Sequence, residues 1–131
     1  MTDKNKNTKV NTFFKVLLIT IAVTRLWTIS LFYIFGNNSE ITNRIVNDPI
    51  HHYQVGILLL VASYPLRKFL KPLTLSAIGL GILLEEWPVF LNDLGLKTNG
   101  IYHTKIDFIF VFGFVVIIYL LLILLRKKKY A

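Results

Sequence analysis

The chain has 131 residues, 54% of them hydrophobic, no cysteine, and a formal net charge of +8 at pH 7. A soluble domain of this length interrupts its apolar runs with charge every few residues, whereas here the runs reach about 20 residues, enough to cross roughly 30 Å of hydrocarbon. The missing cysteine excludes disulfides, thiolate nucleophiles and thiolate metal sites, and basic residues that flank apolar segments, instead of mixing with aromatics on one surface, argue against nucleic acid as a partner.

Residues 1–12, rich in Lys, Asn and Thr, predict a short disordered tail. A first apolar span is expected over 13–35. It is too long for a signal peptide, and Gly36-Asn37-Asn38-Ser39 is no small-x-small cleavage site. A polar loop over 36–49 carries Gly36, an Asn37-Asn38-Ser39 sequon segment and Asp48-Pro49 as turn chemistry. A second span is expected over 50–70, kinked by Pro65, which has no N–H to bond back along the helix. Arg67, Lys68 and Lys71 mark a tight turn, and Pro72 suits the first position of a new helix. The third span is expected over 73–91 with Pro88 inside it. A second polar loop covers 92–104, a fourth span 105–125, and a basic tail 126–131.

Lys4, Lys6, Lys9, Lys15, Arg67, Lys68, Lys71 and the closing Arg126–Lys129 run are eleven of the 15 basic residues. By the positive-inside rule they put both termini and the central turn in the cytoplasm and turn the 36–49 and 92–104 loops outward. The expected fold is all-α: an integral membrane bundle of four transmembrane helices in the cell membrane, with the lipid bilayer as its first partner. Asp3 apart, every acidic residue and all three histidines fall toward the outer end.

That sorting defines the candidate chemistry. His51 and His52 open the second span, Glu85 and Glu86 lie about one and a half turns inside the third, and His103 and Asp107 sit one turn apart at the start of the fourth. Neutral imidazole and carboxylate are ligands that zinc, iron and manganese accept, and a bundle interior is a common place for such a site. The competing reading of His51, His52, Glu85, Glu86, His103 and Asp107 is a polar layer held by hydrogen bonds. A carboxylate one to two turns deep costs on the order of a few kcal/mol unless paired or wetted. Arg25, deeper in the first span, is read either as an ion-pair partner of Glu85 or Glu86 or as an anchor for an anionic group. Ala77, Gly81 and Glu85, four apart, line one helix face on which small residues admit a second backbone, and Gly56 thins the His52 face in the same way. Pro88 is expected to free the carbonyl of Leu84 beside the acidic pair. Tyr33, Tyr53 and Tyr102 fit an outer aromatic belt, while Trp27 is deep enough to pack within the bundle.

The segments Ile50-His51-His52-Tyr53-Gln54-Val55-Gly56 and Ile78-Gly79-Leu80-Gly81-Ile82-Leu83-Leu84-Glu85-Glu86 resemble small, uncharacterised prokaryotic polytopic membrane proteins. Those carry a His-His-x-x-x-Gly helix followed by a glycine-rich helix ending in an acidic pair. The resemblance covers about a third of the chain. It implies that His51, His52, Gly56, Glu85 and Glu86 form one constellation, and it supplies no activity.

Three functions remain open from the sequence. The leading one is an outward-facing His/carboxylate site that binds a divalent metal (iron, zinc or manganese) and acts on a lipid or small molecule. The others are a subunit of a homo-oligomeric transporter or channel and a non-catalytic accessory or immunity-type membrane protein. No motif in the chain decides whether it is an enzyme.

Overall fold

The computed structural model describes residues 3–36, 39–41, 44, 50–68 and 72–128. Among them are five long helices, two short 3-10 segments and no strand: α1 (Asp3–Phe35), α2 (His52–Ser63), α3 (Pro72–Glu85), α4 (Trp87–Asp93) and α5 (Lys105–Lys128), with 3-10 turns at Pro65–Lys68 and Asn99–Ile101. The Asn37-Asn38 part of the sequon, the Asp48-Pro49 turn and Lys71 lie outside the described residues.

Among the described residues, two stretches are long and apolar enough to cross a membrane, Thr8–Phe35 and Lys105–Leu124. The pair α3 and α4 would make a third, but it bends by 70° between Glu85 and Trp87. The helix α1 begins at Asp3, ten residues before the expected span. Extending a formed helix needs one residue fixed per added hydrogen bond, so the polar segment from Asp3 onward continues it. The expected second span is only twelve α-helical residues, ending at Ser63: Pro65 has no N–H to bond back to Val61, whose carbonyl instead accepts from Tyr64, and the chain continues as a 3-10 turn. The third stops at Glu85, and Pro88 opens α4 near its first position, where no N–H is needed.

α3 is the centre. Its glycines let both neighbours approach to backbone contact. A Cβ on Gly56 would meet the Gly79 carbonyl oxygen at 2.7 Å, and one on Gly79 would meet that of Gly56 at the same distance, so α2 and α3 touch there. On another face, Gly81 lies against Thr20 of α1, and Ala77 is fully buried with Leu17 and Leu84. Along α1, the hydroxyls of Thr20, Thr24 and Thr28 each donate to the carbonyl four residues back, so the polar stripe is satisfied within its own helix.

Two helix ends follow glycine chemistry. Gly36, at φ +75°, donates to Phe32 O and closes α1. Gly95, at φ +93°, donates to Asn92 O while Leu96 donates to Leu91 O, the paired bonds of a Schellman end on α4.

The accessible surface, 9478 Å², exceeds the ~7,100 Å² that a compact soluble chain of this mass exposes. The outward faces of α1 and α5 are apolar: Leu26 is 64% exposed, Ile109 70% and Phe112 71%.

Candidate functional site

The sequence places one cation and several carboxylates near one end of the chain's helices, and folding sorts them into two groups. The first surrounds Arg25, which is only 6% exposed. Its Nη1 donates to Asp107 Oδ2 at 2.6 Å, its Nη2 to the backbone carbonyl of Glu85 at 3.3 Å, and its Nε lies 3.2 Å from Glu85 Oε1. The Nε–H is not aimed at that oxygen, so this last contact is an ion pair without a hydrogen bond. Glu85 and Asp107 are fully enclosed, at 1% and 0% exposure. The bend after Glu85 and the proline at 88 make this a place where helical carbonyls lose their usual partners, and the guanidinium takes the Glu85 carbonyl. The Leu84 carbonyl, one residue earlier, is the one to which Pro88 has no N–H to donate.

Three aromatic side chains complete this group, of which Tyr102 reads from the sequence as a membrane-interface residue. Trp87 Nε1 donates to Asp107 Oδ1 at 2.8 Å, and the Tyr102 hydroxyl donates to Glu85 at 3.1 Å. Phe108 lies under the guanidinium at 4.6 Å. The signal available in the sequence was chemical: an indole N–H or phenol buried beside a carboxylate needs an acceptor.

His103 and Asp107 do not share a helix face, as their spacing suggested. His103 lies outside α5 at φ +59°, and its backbone N–H donates to Asp107 Oδ2 at 3.0 Å. Thr104 Oγ1 accepts from the Asp107 N–H. Thr104 and Asp107 thus cap the start of α5, one accepting from within the helix and the other from the N–H that precedes it, with an acidic side chain in the first turn. The His103 Nδ1 lies 3.4 Å from Arg25 Nη1. Burial first, and the Arg25 charge second, hold its pKa below the ordinary value. The Tyr102 hydroxyl is pushed up, by burial first and then by the Glu85 charge.

The second group is built on Glu86, 6% exposed. Its carboxylate accepts from the Tyr53 backbone N–H at 2.8 Å and from His52 Nδ1 at 2.9 Å. His52 opens α2, where the first N–H groups have no helical partner, and Glu86 supplies one. The Tyr53 hydroxyl donates to Asp93 at 2.7 Å, and His51 Nε2 lies 3.8 Å from the same carboxylate.

Among the described residues, no set of three or more His, Asp or Glu is arranged to hold a metal ion. The six residues expected as ligands are divided: Glu85, Asp107 and His103 face Arg25, while His52 pairs with Glu86 and His51 lies near Asp93. The guanidinium occupies the position of the cation. With Glu85 and Asp107 upon it, Arg25 is an ion-pair partner and no free anion anchor.

A cleft lies beside the second group, between α1 and the α2–α3 pair. One chamber, about 230 Å³, is lined by Val23, Thr24, Val55 and Ile82 together with Glu85. The other, about 480 Å³, is lined by His51, Glu86, Asp93, Phe32 and Tyr102 among others. Trp27, Thr28 and His52 line both. Trp27 is 60% exposed and forms cleft wall, contrary to the packed position expected for it. The His52 side chain is 58% exposed. With its Nδ1–H given to Glu86, its Nε2 is the nitrogen left for the cleft.

No protein-family model matches this chain, and no curated protein or solved structure does.

Proposed function

We propose that this is a multi-pass protein of the cell membrane, with four spans and both termini cytoplasmic, that binds a lipid or small amphiphile in the cleft beside α1. The lysine and arginine distribution supports the orientation. α2 with its 3-10 extension and the bent α3–α4 pair supply the second and third spans.

The observation that carries the binding reading is the cleft itself. An apolar chamber lies beside one lined by His51, His52, Glu86 and Asp93, and the latter, at about 480 Å³, is within the volume range of ligand sites. Val23, Trp27 and Val55 on its walls are 59%, 60% and 41% exposed, so it opens sideways, where acyl chains would lie. An amphiphile there places its chain along Val23 and Val55 and its head near His52. The Glu86 contact orients the imidazole, leaving its Nε2 toward that head. Arg25 pairs with Glu85 and Asp107, so this reading draws on the cleft and not on a metal.

The test is photo-crosslinking in lipid nanodiscs with dodecyl probes that carry a diazirine on the chain and differ only in head group. At least one head should label the Val23–Thr28 or Val55 segment saturably, and Val55→Phe with Thr24→Phe should suppress that labelling. Labelling by every probe that is unsaturable, or unchanged in the filled variant, rules the cleft out as a ligand site.

A further inference from the structure

We infer that the ligand of this cleft is a single-chain amphiphile with an ammonium head group and no phosphate. The inference rests on the cleft being a binding site and goes on to its chemical selectivity.

Charge is the first argument. Among the described residues, the larger chamber is lined by two carboxylates, Glu86 and Asp93, by His51 and His52, and by no lysine or arginine. The nearby buried cation, Arg25, is engaged by Asp107, by the Glu85 carboxylate and by the Glu85 carbonyl. An anionic head would therefore meet carboxylates without a compensating cation, and repulsion in a partly desolvated cleft is strong. A cationic head meets the opposite. Glu86 already accepts two hydrogen bonds, so Asp93, whose side chain is 37% exposed, is the carboxylate most open to a ligand.

Ring chemistry is the second argument. Trp27, Phe32 and Tyr102 all line the polar chamber. Aromatic walls with carboxylates nearby are the arrangement that recognises quaternary ammonium, because the ring faces are negative and the methyl groups need no hydrogen-bond acceptor. A phosphate-bearing head would need arginine or lysine donors, and the lining has neither. The apolar chamber, about 230 Å³, is the smaller of the two and has room for no more than one chain.

The same nanodisc experiment decides this with three heads on one dodecyl diazirine chain: trimethylammonium, phosphocholine and neutral glycol. The trimethylammonium probe is expected to half-saturate cleft labelling at about tenfold lower concentration than either other probe. Asp93→Asn and Trp27→Ala are each expected to raise that concentration about three- to tenfold, and added salt should weaken the ammonium probe alone. Equal half-saturation by all three heads, or preference for the glycol or phosphocholine probe, overturns the ammonium assignment and leaves the cleft as a ligand site. Unchanged ammonium labelling in both Asp93→Asn and Trp27→Ala overturns it too. If no head labels the cleft saturably, the binding reading falls with it.

Discussion

Arg25 holds two enclosed carboxylates, and its worth is clearest in what its removal leaves behind. Arg25→Met strands Glu85 and Asp107 as buried charges, a loss of about 3–5 kcal/mol. The triple variant Arg25→Met/Glu85→Gln/Asp107→Asn removes the charges together and should melt above the single variant in detergent. A triple variant no more stable than the single one would show that the charges do not set the cost. His103 carries a pH signature. Its folded pKa lies below the unfolded value of about 6.5, because burial and Arg25 disfavour the charged ring. The unfolded chain therefore takes up the proton first as pH falls. The stability tied to His103 is complete above about pH 6.5 and is lost as pH drops below it toward the folded value. Melting curves between pH 7 and 5 should fall more steeply for the native chain than for His103→Gln, and parallel curves would exclude the linkage.

At the scale of elements, glycine does two different jobs in the same fold. At Gly56 and Gly79 it lets two helices meet backbone to backbone, and a new Cβ would sit 2.7 Å from a carbonyl oxygen that cannot rotate away. Gly56→Ala should therefore destabilise by about 1–3 kcal/mol. Gly113, within α5, has nothing within 4 Å of a new Cβ. There Ala should stabilise by about 0.5–1 kcal/mol, since glycine inside a helix gives up more chain entropy on folding. Thermal melts of the two variants should move in opposite directions. The bend between α3 and α4 belongs to this scale as well. A continuous helix would carry the chain straight on past Glu85, whereas the break turns α4 across the end of α3 and sets Val89 and Asp93 in the cleft wall.

For the whole molecule, the question is how the helices stand in a bilayer. With no native cysteine, single introduced cysteines report the answer directly. Ser39→Cys and Lys97→Cys should react with an impermeant reagent added to intact cells, and Leu124→Cys should react only after permeabilisation. The reverse pattern would invert the orientation, and a Ser39 and Lys97 on opposite sides would mean that α2, α3 and α4 do not add two crossings between them.

Much of this was legible in one dimension. Apolar runs of bilayer length and their basic flanks depend on composition along the chain, so the all-helical class and the two longest apolar helices could be read from residues alone. The meeting of Arg25 with Glu85 was legible too, as one of two partners, because a deep guanidinium has few acceptable neighbours. Which carboxylates face Arg25 and which face His52 was decided only in three dimensions. Glu85 and Glu86 are adjacent in sequence, yet a helix turns successive side chains about 100° apart, and the break at Glu86 sends one toward α1 and the other toward α2. The roles of Trp87 and Tyr102 and the cleft beside Trp27 likewise arise from distant segments packed together. Their distances are set by the Gly56–Gly79 and Gly81–Thr20 contacts, and no local pattern encodes them.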